Sequence, residues 1–394
     1  MSAVLEVLDV VVPSSEQFAP TQRKSYYRPQ LDGLRFLAFM AVYFQHTFHA
    51  GADYYLNWAV LRPLHLSPAA AGVISRLTET GGMGVDLFFA LSSYLITELL
   101  LREIKQTGKI HLKYFYARRV LRIWPVYGLV LFLGIVLIPA LGISGRIPPV
   151  FIAGYIFFAG NWSCAFLGSP AVLFTIGPLW SISIEEQFYL LWPLSIQRLG
   201  VKHLKWLCAG LLVSAELGRL FMCLLNAPAN MRYFSTFTHL DPIAWGALLA
   251  LGTKDRALRP SVPLRALIGM GCVGIILLAL LYEDGSAGYV SDLLITPMYG
   301  FCCAAIIFLV LQSQFLAVKP LPYLGKISFG LYAYHAMILV MMDKFVAQGS
   351  WVKLLMIPTK LLVTIAVAAL SYKFLEAPIL KFKERFTLVQ SRPV

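Results

Sequence analysis

Arg35 and His46 stand near the two ends of one apolar stretch, 34–48, in a chain of 394 residues that is 58% hydrophobic and 13% charged. An ionisable side chain inside a membrane span costs several kcal/mol, so it reads by default as part of a working site. On a helix, the step from Arg35 to His46 climbs roughly 16 Å, about half the hydrocarbon thickness. A basic residue then marks the membrane edge and an imidazole its interior. Imidazole changes charge near neutral pH, which suits it to proton transfer. A second polar group falls in the apolar run 179–196, where Glu185 lies at a depth similar to that of His46. Ser181, Glu185 and Tyr189 recur every four residues and share a helix face, whereas Glu186 points about 100° away. At the foot of a third stretch, Arg119 and Arg122 lie three apart on one face, level with Arg35. Their planar forks of donors match phosphate oxygens. Asp86 opens another apolar run at the opposite membrane edge.

Plainer readings exist for each of these. A lone membrane histidine can make a helix–helix hydrogen bond, arginines can anchor a cytoplasmic edge, and Glu186 and Gln187 fit packing or water contact. For Asp32, Asp241, His239 and His335 a structural role stands at least level with a catalytic one.

The elements that must hold these groups are set by composition. A soluble domain carries about a quarter charged residues, and the mean hydropathy here is +0.71. The fold class expected is all-α: a polytopic membrane protein of about ten transmembrane helices. The stretches are 34–48, 83–101, 121–141, 179–196, 204–225, 240–251, 264–282, 293–311, 327–345 and 354–375. The run 150–162 is short, contains Gly154 and Gly160, and reads as re-entrant or interfacial. Basic residues cluster between alternate stretches: four in 23–35 and seven in 102–122, with further groups at 198–205, 254–265 and 319–326 and after Lys373. Cytoplasmic loops carry such excesses. Ten crossings put every cluster on one side, with both termini cytoplasmic. Residues 1–25 then read as a tail, 26–380 as one membrane domain and 381–394 as a second tail. The net charge of +13 belongs to these loops and does not indicate nucleic acid. Six scattered cysteines show no disulfide or zinc spacing.

In this order the motifs resemble the membrane acyltransferase 3 family, bacterial proteins that O-acylate polysaccharides and lipid-linked sugars. The similarity runs from about Arg28 to Pro378. Arg35 and His46 fit the family's basic-X10-His signature, following the Arg-Pro-Gln-Leu-Asp-Gly-Leu opening at 28–34. Residues 84–92, Gly-Val-Asp-Leu-Phe-Phe-Ala-Leu-Ser, look like its second-span motif. Arg119 and Arg122 match its RxxR, Trp180 to Tyr189 its WSLxxExxFY, and Glu376-Ala-Pro its terminal ExP. Two departures stand out: Ser93 replaces a usual glycine, and His239 falls where an arginine often precedes the aspartate placed at Asp241.

The resemblance implies an enzyme of the bacterial inner membrane that uses acyl-CoA, acetyl being commonest, and no metal. The CoA phosphates would meet Arg119, Arg122 and Arg35. His46 would act as general base or be transiently acylated, with Glu185 steering the acceptor hydroxyl and Ser181, Tyr189 and Asp86 lining the substrate path. The acceptor would be a carbohydrate, lipid-linked sugar or glycosylated metabolite, in a stand-alone form without the hydrolase-like domain of some members. Oligomeric state stays open. The rival is a proton-coupled transporter of a sugar, lipid or acyl precursor, against which the absence of an internal repeat counts.

Overall fold

The computed structural model describes residues 27–49, 67–254, 260–282, 288–344 and 351–389. The expected tail 1–25, with the basic residues Arg23 and Lys24, lies outside the described residues, as do His65, Arg256, Arg259, Glu283, Asp284 and residues 390–394.

Among the described residues the structure is helical, without strands. Each apolar stretch expected to be a span falls mainly within a helix. In chain order these are α1 (Pro29–His49), the short α2 (Pro68–Glu79), α3 (Met83–Thr107), α4 (Leu112–Phe132), and the pair α5 (Pro149–Ile156) and α6 (Gly160–Leu167). The chain continues with α7 (Trp180–Leu199), α8 (Leu204–Leu224), α9 (Ala229–Phe234), α10 (Leu240–Thr253) and α11 (Val262–Tyr282). It ends with α12 (Thr296–Leu311), α13 (Leu321–Lys326), α14 (Ser328–Asp343), α15 (Trp351–Ser371) and α16 (Ala377–Lys383).

Among the described residues six helical runs are long and apolar enough to cross a membrane: Gly72–Thr107, Leu112–Ala140, Val201–Leu224, Val262–Leu280, Ser291–Leu311 and Leu355–Phe386. The shorter α10 and α14 have 14 and 16 residues, fewer than the roughly 20 that a span normally needs. The run 150–162 divides into two eight-residue helices, α5 and α6, each about 12 Å long and unable to cross alone. The surface is inverted relative to a soluble protein. Leu224 is 72% exposed and Phe374 69%, while Glu103, Asn161 and His335 are fully buried. An apolar exterior around a polar interior is what hydrocarbon solvent selects.

Among the described residues three widened π turns, Leu133–Leu137, Ser291–Ile295 and Tyr372–Glu376, each end two residues before a proline: Pro139, Pro297 and Pro378. Proline removes the N–H that would bond four residues back and its ring crowds that carbonyl, and a widened turn relieves both.

The central helix is α1, packed against α3, α12, α13 and α14. It opens at Pro29 with Asp32 in its first turn, which favours the positive end of the helix dipole. Gly325 of α13 lies against the Asp32 backbone. The other half of α1 touches the start of α3 so closely that a Cβ at Gly84 would strike the Ala38 carbonyl, and one at Gly81 that of Ala41. Tyr43 then ties α1 to α15 by donating to the Ile357 carbonyl at 2.9 Å. This contact predicts that Gly84→Ala destabilises the protein by about 1–3 kcal/mol. Gly128→Ala, where a Cβ meets nothing within 4 Å, should leave thermal unfolding in detergent unchanged or slightly improved.

Candidate active site

The polar face of α7 and the foot of α4 meet α1 around one cavity. Arg35, Ser92, Arg119, Arg122, Ser181, Glu185, Tyr189 and Tyr332 are among its lining residues. Six of the residues singled out from sequence are therefore brought together: Arg35, Arg119, Arg122, Ser181, Glu185 and Tyr189. The four-residue spacing on α7 is the local cause, since it aims Ser181, Glu185 and Tyr189 to one side.

Both Glu185 oxygens have partners: Oε1 accepts from Ser92 Oγ at 2.7 Å and Oε2 from Tyr189 at 3.3 Å. Arg119 lays its guanidinium over the rings of Tyr189, at 5.4 Å, and Phe115, at 5.7 Å, so its flat faces are covered and its donor edge is directed between them. Arg122 approaches Glu376 at 3.5 Å and the Lys326 carbonyl at 3.4 Å. The RxxR and ExP motifs, distant in sequence, thus meet. The Nε groups of Arg35 and Arg119 are buried without a hydrogen-bond partner among the described residues. The same holds for Arg118, Arg219 and Arg265, so it is the clustering of Arg35, Arg119 and Arg122 on one cavity that makes a setting for an anion.

The cavity narrows from a mouth of about 140 Å³, where Arg28, Arg35, Arg119, Arg122, Lys326 and Lys383 gather around the single acid Asp32. An inner chamber of about 110 Å³ follows, in which Phe88, Phe89 and Phe329 join Arg35, Arg119, Arg122 and Glu185. Arg28, Lys326 and Lys383 were not singled out from sequence. They come from three separate basic segments, and only the fold shows that these converge.

His46 lies behind the inner wall of this chamber. Ser181 and Tyr332 share a hydroxyl contact of 2.7 Å, and the Tyr332 ring packs on His335 at 5.6 Å. His335 Nε2 in turn meets His46 Nδ1 at 2.7 Å. The two imidazoles are 2° from coplanar with centroids 5.0 Å apart, the separation that a short N···N bond plus two ring radii produces. They therefore lie edge to edge rather than face to face. His335 Nδ1 sits 2.6 Å from the Tyr332 carbonyl, which can only accept. In the neutral pair, His335 then carries its proton on Nδ1, so its Nε2 accepts from His46 Nδ1–H. The basic nitrogen of His46 is thereby set as Nε2. His46 and Glu185 thus answer to different partners, an imidazole for one and hydroxyls for the other.

Asp86 lies elsewhere, 3.1 Å from His239 in a separate outer cavity. His239 has its second nitrogen on the Tyr233 carbonyl at 2.8 Å, so both nitrogens are engaged in holding structure. The departure at Ser93 is accommodated by a bond: its hydroxyl donates to the Ile243 carbonyl at 2.6 Å, across the seam between α3 and α10. All six cysteines are buried and none is in a disulfide. Among the described residues no group of three or more His, Cys, Asp or Glu is placed to hold a metal ion.

Residues 28–373 match the Acyl_transf_3 family model, described as an acyltransferase domain. The chain belongs to the acyltransferase 3 family. Among similar proteins, the O-acetyltransferase OatA of Staphylococcus aureus (strain NCTC 8325 / PS 47) is 30% identical in an alignment 382 positions long that covers 90% of this chain and 57% of the relative. The peptidoglycan O-acetyltransferase OatA of Listeria monocytogenes serovar 1/2a is 28% identical in an alignment 390 positions long that covers 92% of this chain and 57% of that relative. The chain thus spans little more than half the length of these curated relatives. No solved structure matches it. The histidine pair gives this family site a direct spectroscopic test. Nitrogen-15 NMR of histidine-labelled protein should show neutral His46 in the Nδ1–H form, and His335→Ala should turn that single signal into a mixture of tautomers.

Proposed function

We propose that this protein is a bacterial inner-membrane O-acyltransferase, moving an acetyl group from acetyl-CoA to a hydroxyl of a cell-envelope glycan. The observation that carries the reading is the basic cavity: a mouth ringed by Arg28, Arg35, Arg119, Arg122, Lys326 and Lys383, continuing into a smaller chamber where Phe88, Phe89 and Phe329 join Arg35, Arg119 and Arg122, and whose wall includes Tyr332, packed on His335. Acetyl-CoA is a polyanion at one end and a thin, nearly neutral arm at the other. The six cations gather at the mouth, and the phenylalanine rings line only the chamber. The Nε groups of Arg35 and Arg119, buried without a hydrogen-bond partner among the described residues, would add donors for its phosphates. Membership of the family supports acyl transfer, and the OatA relatives make peptidoglycan the favoured acceptor. Ten crossings with cytoplasmic termini would place the basic mouth on the cytoplasmic side, where acetyl-CoA is made.

In this mechanism His46 Nε2 accepts the hydroxyl proton as the acceptor oxygen bonds to the thioester carbon. The C–S bond breaks, and His46 returns the proton to the departing thiolate. His335 holds His46 Nδ1–H throughout, so the ring keeps its orientation and the positive charge is shared along a short hydrogen bond. Glu185 sets the positions of Ser92 and Tyr189 and balances Arg35 and Arg119 around the arm. Ser181, bonded to Tyr332, belongs to the gate between arm and base.

Two variants test this. Arg119→Gln should weaken acetyl-CoA binding roughly 10- to 100-fold, the loss of a charge-assisted hydrogen bond. His46→Ala should leave that binding intact while lowering transfer by about 10²–10⁴. Full turnover by the alanine variant, measured as acetyl-CoA consumed, would remove His46 from the chemistry.

A further inference from the structure

At the end of the bundle opposite the arginine mouth lies a larger cavity, of about 610 Å³. That volume is within the roughly 300–1,000 Å³ of sites that take small organic ligands. Residues from α1, α3, α8, α9 and α12 line it, and nothing in the donor path uses it.

Charged and ionisable groups of both kinds line it: Glu79, Asp86 and Asp292 beside Arg219, Arg232 and His239. Asp86 faces His239 at 3.1 Å, and Arg232 Nε faces Asp292 at 2.8 Å. Arg219 binds Asp241, contacts Glu216 at 2.9 Å and donates to the Thr238 carbonyl at 2.7 Å. The lining of the arginine mouth holds six cations and one acid, with Glu98 and Glu376 reaching Arg28 and Arg122 from behind; the lining of this cavity carries acids and bases in near-equal number. A wall of paired charges presents many fixed donors and acceptors without selecting either sign of ion. The ligand it suits is rich in hydroxyls and close to neutral.

The cavity also carries an aromatic face. Tyr233 is 39% exposed and packed against Trp180 and Phe234, with ring centroids at 5.3 and 5.0 Å. The Asp86–His239 pair holds it from behind, through the bond from His239 to the Tyr233 carbonyl. A half-exposed ring beside polar pairs offers one apolar surface among hydrogen-bonding groups, which is the complement of a sugar ring, with its C–H faces and hydroxyl rim.

The position of the cavity fits its contents. Val85 lines both this cavity and the inner donor chamber, so one buried side chain stands between them. Gln45, the residue before His46, lines the outer cavity too. From the matched charges, the aromatic face and this shared wall, we infer that the outer cavity is the acceptor site, holding a near-neutral glycan segment with its reactive hydroxyl turned over Val85 toward His46. The inference rests on the acyl-transfer reading above and names where the second substrate binds.

The test uses purified full-length protein, acetyl-CoA, and a tetramer of N-acetylglucosamine as acceptor, with the same sugar on a polyprenyl carrier run in parallel. Tyr233→Ala removes the aromatic face; Thr296→Phe fills the cavity from the α12 side and guards against a folding defect in the first variant. Each should raise the acceptor KM about tenfold while the acetyl-CoA KM stays within twofold. An effect with either acceptor supports the site, and the better of the two shows whether the glycan arrives free or carried on lipid. If wild-type protein transfers acetyl groups but both variants keep the acceptor KM, or change both KM values equally, this inference fails alone. If wild-type protein neither binds nor consumes acetyl-CoA, the acyl-transfer reading fails first and takes this one with it.

Discussion

Inside a bundle surrounded by hydrocarbon, a charged or hydrogen-bonding group without a partner is expensive, and much of this structure consists of ways of supplying one. Glu103 is fully buried because Arg118 meets one oxygen at 3.1 Å and the His111 backbone N–H the other at 2.7 Å. Asn161 is equally buried and bonds the Phe234 carbonyl, Thr236 and Gln187. Buried arginine Nε groups without a hydrogen-bond partner among the described residues are spread over the bundle, at Arg118, Arg219 and Arg265 as well as at Arg35 and Arg119. What sets Arg35 and Arg119 apart is their place: both lie on one cavity whose mouth is lined by six basic residues. Such a concentration of cations in a low-dielectric surround favours an anionic ligand.

The same constraint explains what could be read from the chain. Arg35, His46, Arg119, Arg122 and Glu185 were visible because each is polar in an apolar run, and the four-residue period of Ser181, Glu185 and Tyr189 gave them a common face. In the sequence His335 is a polar residue in an apolar run and nothing more. It pairs with His46 across 289 positions, and no local spacing encodes such a contact. Asp86 was expected on the substrate path, and only the fold shows that it faces His239 in the outer cavity. The helical stretches were legible from hydropathy, but length was a poorer guide. The buried sides of α10 and α14 face protein, so these helices are not held to the dimensions of a lipid-facing span.

Contacts between distant motifs give the site its shape. Arg122 on α4 meets Glu376 at the end of the π turn before Pro378, so the last motif of the chain helps fix the arginine cluster. Gly81 and Gly84 let α3 approach α1 until backbone nearly touches backbone. That approach places Gln45 on the outer cavity and puts Val85, the next residue of α3, in the wall common to both chambers. A change of one side chain along α3 therefore bears on two sites of opposite character.

The division into two chambers also bears on selectivity against water. A base strong enough to deprotonate a sugar hydroxyl does not by itself distinguish that hydroxyl from a water molecule, and either can attack a thioester. Discrimination has to come from which nucleophile can be present when the thioester arrives. In the proposed mechanism the inner chamber limits water by its size: at about 110 Å³, walled by Phe88, Phe89 and Phe329 together with Arg35, Arg119, Arg122 and Glu185, it is filled once the arm is in place. The outer cavity is several times larger at about 610 Å³ and is lined by polar and charged side chains, groups that a hydroxyl-rich ligand satisfies in place of solvent. On this proposal each substrate excludes water by binding, and two chambers filled from opposite ends are what transfer rather than hydrolysis requires.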